Sequence, residues 1–237
     1  MAVTPIFRPM QKIQLLVILL GFFTSTYSQQ IDFKTIKNIK SLDSAHSLNN
    51  EIELIEVGKR IKNPNLDLRY ATKNNFTKQR MYPASTRKTY LLKPALDALQ
   101  GALADFEKAG YGIKIFDAYR PYAVTVHFWE LIHDERYVAN PKNGSGHNKG
   151  IAIDLTLVNL SSGEELPMGT GFDNFTDSAH HSFTQLSKAI LSNRNLLKST
   201  MEKHGFVALE SEWWHYSLPN PKQYPVLDIS FKELRKL

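Results

Sequence analysis

The run KGIAIDLTLV, residues 149–158, constrains the fold more than any other stretch of the chain. On a strand its side chains alternate, placing Ile151, Ile153, Leu155 and Leu157 on one face and Ala152, Asp154, Thr156 and Val158 on the other. The first face is built for a core. The second is small and polar enough to line a site, and a carboxylate in the middle of an apolar run has no use in a plain buried strand. Just upstream, NGSGHNKG sets His147 seven positions before Asp154, and Gly144, Gly146 and Gly150 allow the loop to bend the imidazole back over the carboxylate.

That pair acquires meaning from EWWH, Glu212 to His215, which adds a second imidazole and a further carboxylate. Zinc in a hydrolase takes three protein N or O ligands and leaves the fourth position to water. His147, Asp154 and His215 fill that quota, one zinc per chain, and Glu212 is left over. The surplus acid fits a general base that takes a proton from the attacking water and returns it to the leaving amine. Three apart, Glu212 and His215 would face opposite sides of a regular strand. Glu212 is therefore expected in the turn entering the strand with Trp213 and His215 sharing a face, or else with a bulge between them. Arg120 in DAYRP, at a strand-to-helix junction, suits stabilisation of the negative charge that builds on a carbonyl oxygen.

The other histidines receive plainer readings. His204 precedes Gly205 and suits a helix C-terminus, where the dipole favours it. His127 and His133 fall on an expected helix as packing or solvent residues, and His180 and His181 in DSAHHS are candidates for groups just outside the ligand set. Trp213 and Trp214 read as core and pocket wall.

With 237 residues and no cysteine, the chain is read as a single domain whose core stands without disulfides. Arg8 and Lys12 precede the apolar run LLVILLGFF and then TSTYSQQ, the order of a secretory signal, with cleavage expected after Ser28. The apolar run is shorter than the ~20 residues a membrane span needs, so no stable membrane insertion is expected after cleavage. Removing residues 1–28 takes away two basic and no acidic side chains and lowers the formal charge from +6 to +4. The remaining Lys and Arg are scattered, which argues against nucleic acid as a partner. Residues 29–50 read as a polar lead-in, and residues 51–237 as the catalytic domain.

The local pattern predicts a strand through Leu66, Leu68 and Tyr70, and a helix over 93–109 stopped by Gly110. A strand through Ile113 and Ile115 follows, then a helix from Tyr122 after Pro121. TQLSKAILSNRNLLKSTMEKHGF reads as a helix ended by Gly205, and VALESEWWHYSL as a last strand with a polar start.

Taken in order, DLRYATKNNF, DAYRP, SGHNKGIAIDLTL, PMGTGFD and EWWHY make the chain resemble the zinc D-alanyl-D-alanine dipeptidases over most of its mature length. The resemblance implies zinc on His147, Asp154 and His215, Glu212 as base and Arg120 as transition-state stabiliser. It adds Asp173 as the group that binds the substrate's ammonium, and Ser145 as a neighbour of the substrate. It also implies the α+β fold shared by these peptidases and the hedgehog signalling domain, an antiparallel sheet with helices packed on it. The implied substrate is a small D-amino-acid dipeptide. Export would place the enzyme in the periplasm or outside the cell, in wall-peptide turnover or D-alanine salvage. The rival readings are a D,D-carboxypeptidase or endopeptidase acting on peptidoglycan peptides, and a non-catalytic module with a structural zinc.

Overall fold

The computed structural model describes Met1 and residues 35–236; the expected signal peptide, apart from Met1, lies outside the described residues. Residues 39–48 of the lead-in form helix α1 (Ile39–Leu48), capped by Asn38, whose side chain accepts from the Ser41 amide. Then come β1 (Leu54–Glu56), β2 (Asn65–Leu66), β3 (Tyr90–Leu92), α2 (Lys93–Lys108), β4 (Tyr111–Asp117), α3 (Tyr122–Ile132) and β5 (Ala152–Asn159). The remaining elements are α4 (Lys188–Lys203), β6 (Val207–Ala208), β7 (His215–Ser217) and the short α5 (Phe231–Leu234).

The expected helices form where their periodicity places them. α2 buries Leu96, Leu99 and Phe106, carries Pro94 in its first turn and gives way to Gly110 at φ +86. α3 follows Pro121, and α4 starts at Ser187, whose hydroxyl accepts from the Ile190 amide. At the end of α4, His204 Nε2 meets Asp105 Oδ2 at 2.9 Å, so this imidazole ties α4 to α2 as well as closing its own helix. His127 and His133 are exposed on or just past α3.

A five-stranded sheet in the order β2-β4-β5-β7-β6 forms the centre, with a separate two-stranded pair of β1 and β3. β2 runs parallel to β4, and every other neighbouring pair is antiparallel. Ile153, Leu155 and Leu157 of β5 join Ile113 and Ile115 of β4 in one core cluster with Leu96, Leu99 and Phe106 of α2 and Leu197 and Met201 of α4. The alternation of residues 151–158 therefore resolves as expected, with the helices on the isoleucine and leucine face. Among the described residues no helix is long and apolar enough to cross a membrane.

Two local expectations are corrected. Only Asn65 and Leu66 pair as a strand; Arg69–Ala71 is a single 3-10 turn that drives Tyr70 into the second core cluster. VALESEWWHYSL is two short strands, β6 and β7, paired antiparallel across a turn that holds Glu212.

A bulge in β4 matters most for the site. Ile115 pairs with Leu155 and Asp117 with Asp154, so two β4 residues span one step of β5. Without that extra residue, Phe116 would face Asp154 and Asp117 would point into the helix-covered core. The bulge reverses this and sets Asp117 on the face that carries Asp154.

Candidate active site

Asp154 also pairs in register with His215 of β7, so Asp117, Asp154 and His215 form one row across three adjacent strands. Cross-strand partners lie within side-chain reach, which brings the Asp154 carboxylate to 2.9 Å from His215 Nδ1. His147 descends onto this row from the glycine loop. Its Nε2 lies 3.4 Å from Asp154 Oδ2 and 3.2 Å from His215 Nδ1.

The loop holds that pose through its own backbone. A Cβ at Gly146 would come within 2.7 Å of Ser217 Oγ and 2.8 Å of the Ala152 Cβ, so the close approach of loop to sheet needs glycine there. Gly150 turns the chain into β5 at φ +65. The His147 carbonyl accepts from the Arg120 amide, and the buried Asn148 side chain donates to the Arg120 carbonyl and to Thr125 Oγ1. The loop and DAYRP thus hold each other.

His147 Nδ1 is 2.7 Å from the Ala118 carbonyl, which can only accept. Nδ1 therefore carries the proton, and the Nε2 lone pair faces Asp154 and His215. One donor atom from each of His147, Asp154 and His215 lies within 4.8 Å of the others, an arrangement that could hold a metal ion. Burial would raise the Asp154 pKa, but the two imidazoles outweigh it and hold the carboxyl well below its ordinary range.

Arg120 is 8% exposed and lines the same cavity, about 90 Å³ in volume. Its Nε and Nη2 both donate to Asp117 Oδ2, at 3.1 and 2.8 Å, while Tyr82 donates to Asp117 Oδ1 at 2.7 Å. The guanidinium lies over the rings of Tyr70 and Phe128, 5.1 and 4.9 Å from their centroids. With one N–H each from Nε and Nη2 committed to Asp117, three guanidinium N–H donors remain, two on Nη1 and one on Nη2.

Asp173 lines the cavity from a left-handed residue, φ +60, after the Gly169–Gly171 turn. Tyr70 donates to its Oδ1 at 3.0 Å, while Oδ2 is buried with no hydrogen-bond partner. Burial, then the nearby Asp154 carboxylate, push the Asp173 pKa up to about 8. Glu212 lines the cavity from the turn before β7, and burial raises its pKa too.

Six of the seven site residues expected from the sequence meet at this cavity: His147, Asp154, Glu212, His215, Arg120 and Asp173. Ser145 is not among the lining residues; its Oγ accepts from the Asn148 amide. Trp214 supplies the wall while Trp213 turns away to donate to Thr170 Oγ1, so the expected pairing of Trp213 with His215 on one face does not form. The reason is that both tryptophans lie in the turn before β7, where strand alternation does not apply. His180 and His181 do not line the cavity; the His180 carbonyl accepts from Arg194, and the His181 ring packs edge-on against Tyr216. Sequence reasoning missed Asp117, Tyr82 and Tyr70. Asp117 carried the same signal as Asp154, an acid inside an apolar strand; the two tyrosines carried none.

A family model described as D-ala-D-ala dipeptidase matches residues 50–234. A D-alanyl-D-alanine dipeptidase of Escherichia coli is 35% identical over 179 residues, covering 76% of this chain and 91% of the relative. One from Enterococcus faecalis is 32% identical, covering 67% and 89%. A solved structure of the vancomycin resistance D,D-pentapeptidase VanY is 14% identical, with a TM-score of 0.38 over 60% of this chain and 84% of that one. These matches make the chain a peptidase, a hydrolase of peptide bonds. The chain belongs to the D-ala-D-ala dipeptidase family.

Proposed function

We propose that the protein is a zinc-dependent dipeptidase that hydrolyses D-Ala-D-Ala to two molecules of D-alanine. The observation that carries this reading is Asp173 Oδ2, a buried acceptor without a partner in the cavity that holds the His147, Asp154 and His215 donors. An orphaned buried carboxylate oxygen is costly, and the ammonium of a dipeptide would satisfy it. A longer or acylated chain has no ammonium at that position.

The donor set fits zinc. Ligands at about 2.0–2.1 Å in a tetrahedron lie about 3.3 Å apart, the scale of the 3.2 Å between the two imidazole nitrogens and of the 2.9 and 3.4 Å from them to Asp154 Oδ1 and Oδ2. Zinc bound there would supply Lewis acidity to the scissile carbonyl and acidify the attacking water. Glu212 takes the proton from that water and passes it to the leaving amine. Arg120 offers its remaining N–H donors to the carbonyl oxygen as negative charge builds there. Asp117 is a positioning residue that fixes the guanidinium from two nitrogens, with Tyr82 holding the carboxylate in turn. Ser145, with a hydroxyl proton still to donate, is assigned as a substrate neighbour on the family resemblance.

Residues 1–28 support export, and with it a role in wall-peptide turnover or D-alanine salvage outside the cytoplasm; residues 51–237 are assigned as the catalytic unit. The test is to incubate the purified protein with D-Ala-D-Ala, L-Ala-L-Ala and an N-acylated D-Ala-D-Ala, with and without chelator. D-Alanine release from the free D,D-dipeptide alone, abolished by chelator, is expected. Release only from the acylated substrate would establish a carboxypeptidase instead, and no release from any would establish a binding module.

A further inference from the structure

A second pocket, about 100 Å³ in volume, opens between residues 85–90 and α5 and shares no lining residue with the active-site cavity. The rings of Tyr90 and Phe231 line it together with Thr86, Arg87, Lys88 and Arg235. No acidic residue is among its lining.

The cations are not equivalent. Lys88 is paired with Glu56 at 2.7 Å. Arg87 is steered by two backbone carbonyls, since its Nη1 donates to Ala84 and Thr86, both at 2.8 Å. Neither Arg87 nor Arg235 forms an ion pair with a described residue, and both are exposed. Thr86 is 4% exposed, yet its Oγ1 has no hydrogen-bond partner. A buried hydroxyl left unpaired is costly, and an acceptor oxygen placed in this pocket would relieve it.

We propose that this pocket binds a small organic anion, a carboxylate or phosphate monoester carrying a compact apolar body. The body rests against Tyr90 and Phe231; the anionic oxygens accept from Arg87, Arg235 and the Thr86 hydroxyl. Guanidinium groups with a neighbouring hydroxyl are a fitting donor set for such oxygens, and the aromatic pair excludes a bare, strongly hydrated ion.

The test titrates the zinc-loaded full chain with benzoate, phenyl phosphate and the neutral benzyl alcohol, following the amide NMR shifts of Thr86, Phe231 and Arg235. Saturable shifts with at least one anion, and about tenfold or weaker binding of benzyl alcohol, are expected from the strength of charge-assisted hydrogen bonds. Binding of benzoate alone marks a carboxylate site, and of phenyl phosphate alone a phosphate site; either supports the proposal. Arg235→Gln should weaken the bound anion about tenfold. Thr86→Val keeps the shape of the side chain, so it should weaken binding several-fold while leaving the fold intact. No saturable shift with either anion, or equal binding of benzyl alcohol, would overturn the proposal. So would unchanged affinity in both folded variants.

Discussion

Asp117 and Asp154 are register partners on adjacent antiparallel strands, two buried carboxylates on one face of the sheet with different commitments. Asp117 is taken by Arg120 and Tyr82, whereas Asp154 faces His147 and His215. One strand pairing places the fixed cation side by side with the cluster that could hold a metal ion.

Asp117→Asn retains the shape of the side chain and an acceptor for Tyr82 but strips Arg120 of its counter-charge. A buried charge left unpaired costs about 3–5 kcal/mol, so the urea midpoint should fall accordingly. In the folded fraction kcat should drop more than KM changes, because the guanidinium loses its aim. An unchanged midpoint would mean that Arg120 does not depend on this pair.

Removing one proposed ligand should remove the metal. His215→Ala is expected to bring zinc content, read by atomic absorption, from about one per chain to near zero, and chelator should do the same to the parent protein. Glu212→Ala should keep its zinc yet lose activity by roughly several orders of magnitude, as expected when base and metal act as a unit. Full zinc in His215→Ala would dismiss the ligand assignment.

Asp173 gives a pH dependence with a defined sign. Its pKa stands at about 8 in the folded chain against an ordinary 3.8. Between roughly these values the unfolded chain has lost the proton and the folded chain keeps it, so the contribution is fully present at low pH and disappears as pH rises through 8. Thermal melts in chelator should show the parent protein losing stability relative to Asp173→Asn from about pH 4 to 8. Substrate capture runs the other way: the ionised carboxylate accepts the ammonium, so KM for the dipeptide should fall as pH rises toward 8. Parallel pH profiles for the two proteins would remove Asp173 from the account.

Gly146→Ala would place a methyl group 2.7 Å from Ser217 Oγ and 2.8 Å from the Ala152 Cβ. Overpacking of this kind costs about 1–3 kcal/mol and should lift the His147 loop off the sheet. A lower Tm together with weakened zinc affinity is the expected pair of readouts. A lower Tm with zinc affinity intact would show that the loop's contact with Ser217 does not set the position of His147.

The sequence by itself determined whatever is local in cause. The alternation of residues 151–158, the apolar stripe and Gly110 stop of α2, and the glycines around His147 each follow from the conformational preferences of a short run, and with the EWWH motif they marked His147, Asp154 and His215 as candidate ligands. Tertiary structure decided what depends on pairing between distant segments. The β4 bulge sets Asp117 beside Asp154 through cross-strand hydrogen bonding, which no property of FDAY specifies. Tyr70 leaves the expected strand for a 3-10 turn because the second core takes its ring, and that placement carries its hydroxyl to Asp173, 103 residues away. Trp214, not Trp213, forms the wall because the turn before β7 breaks the alternation. Side-chain identity is written in the chain, but which face a residue presents is set by register, and register is a property of two strands together.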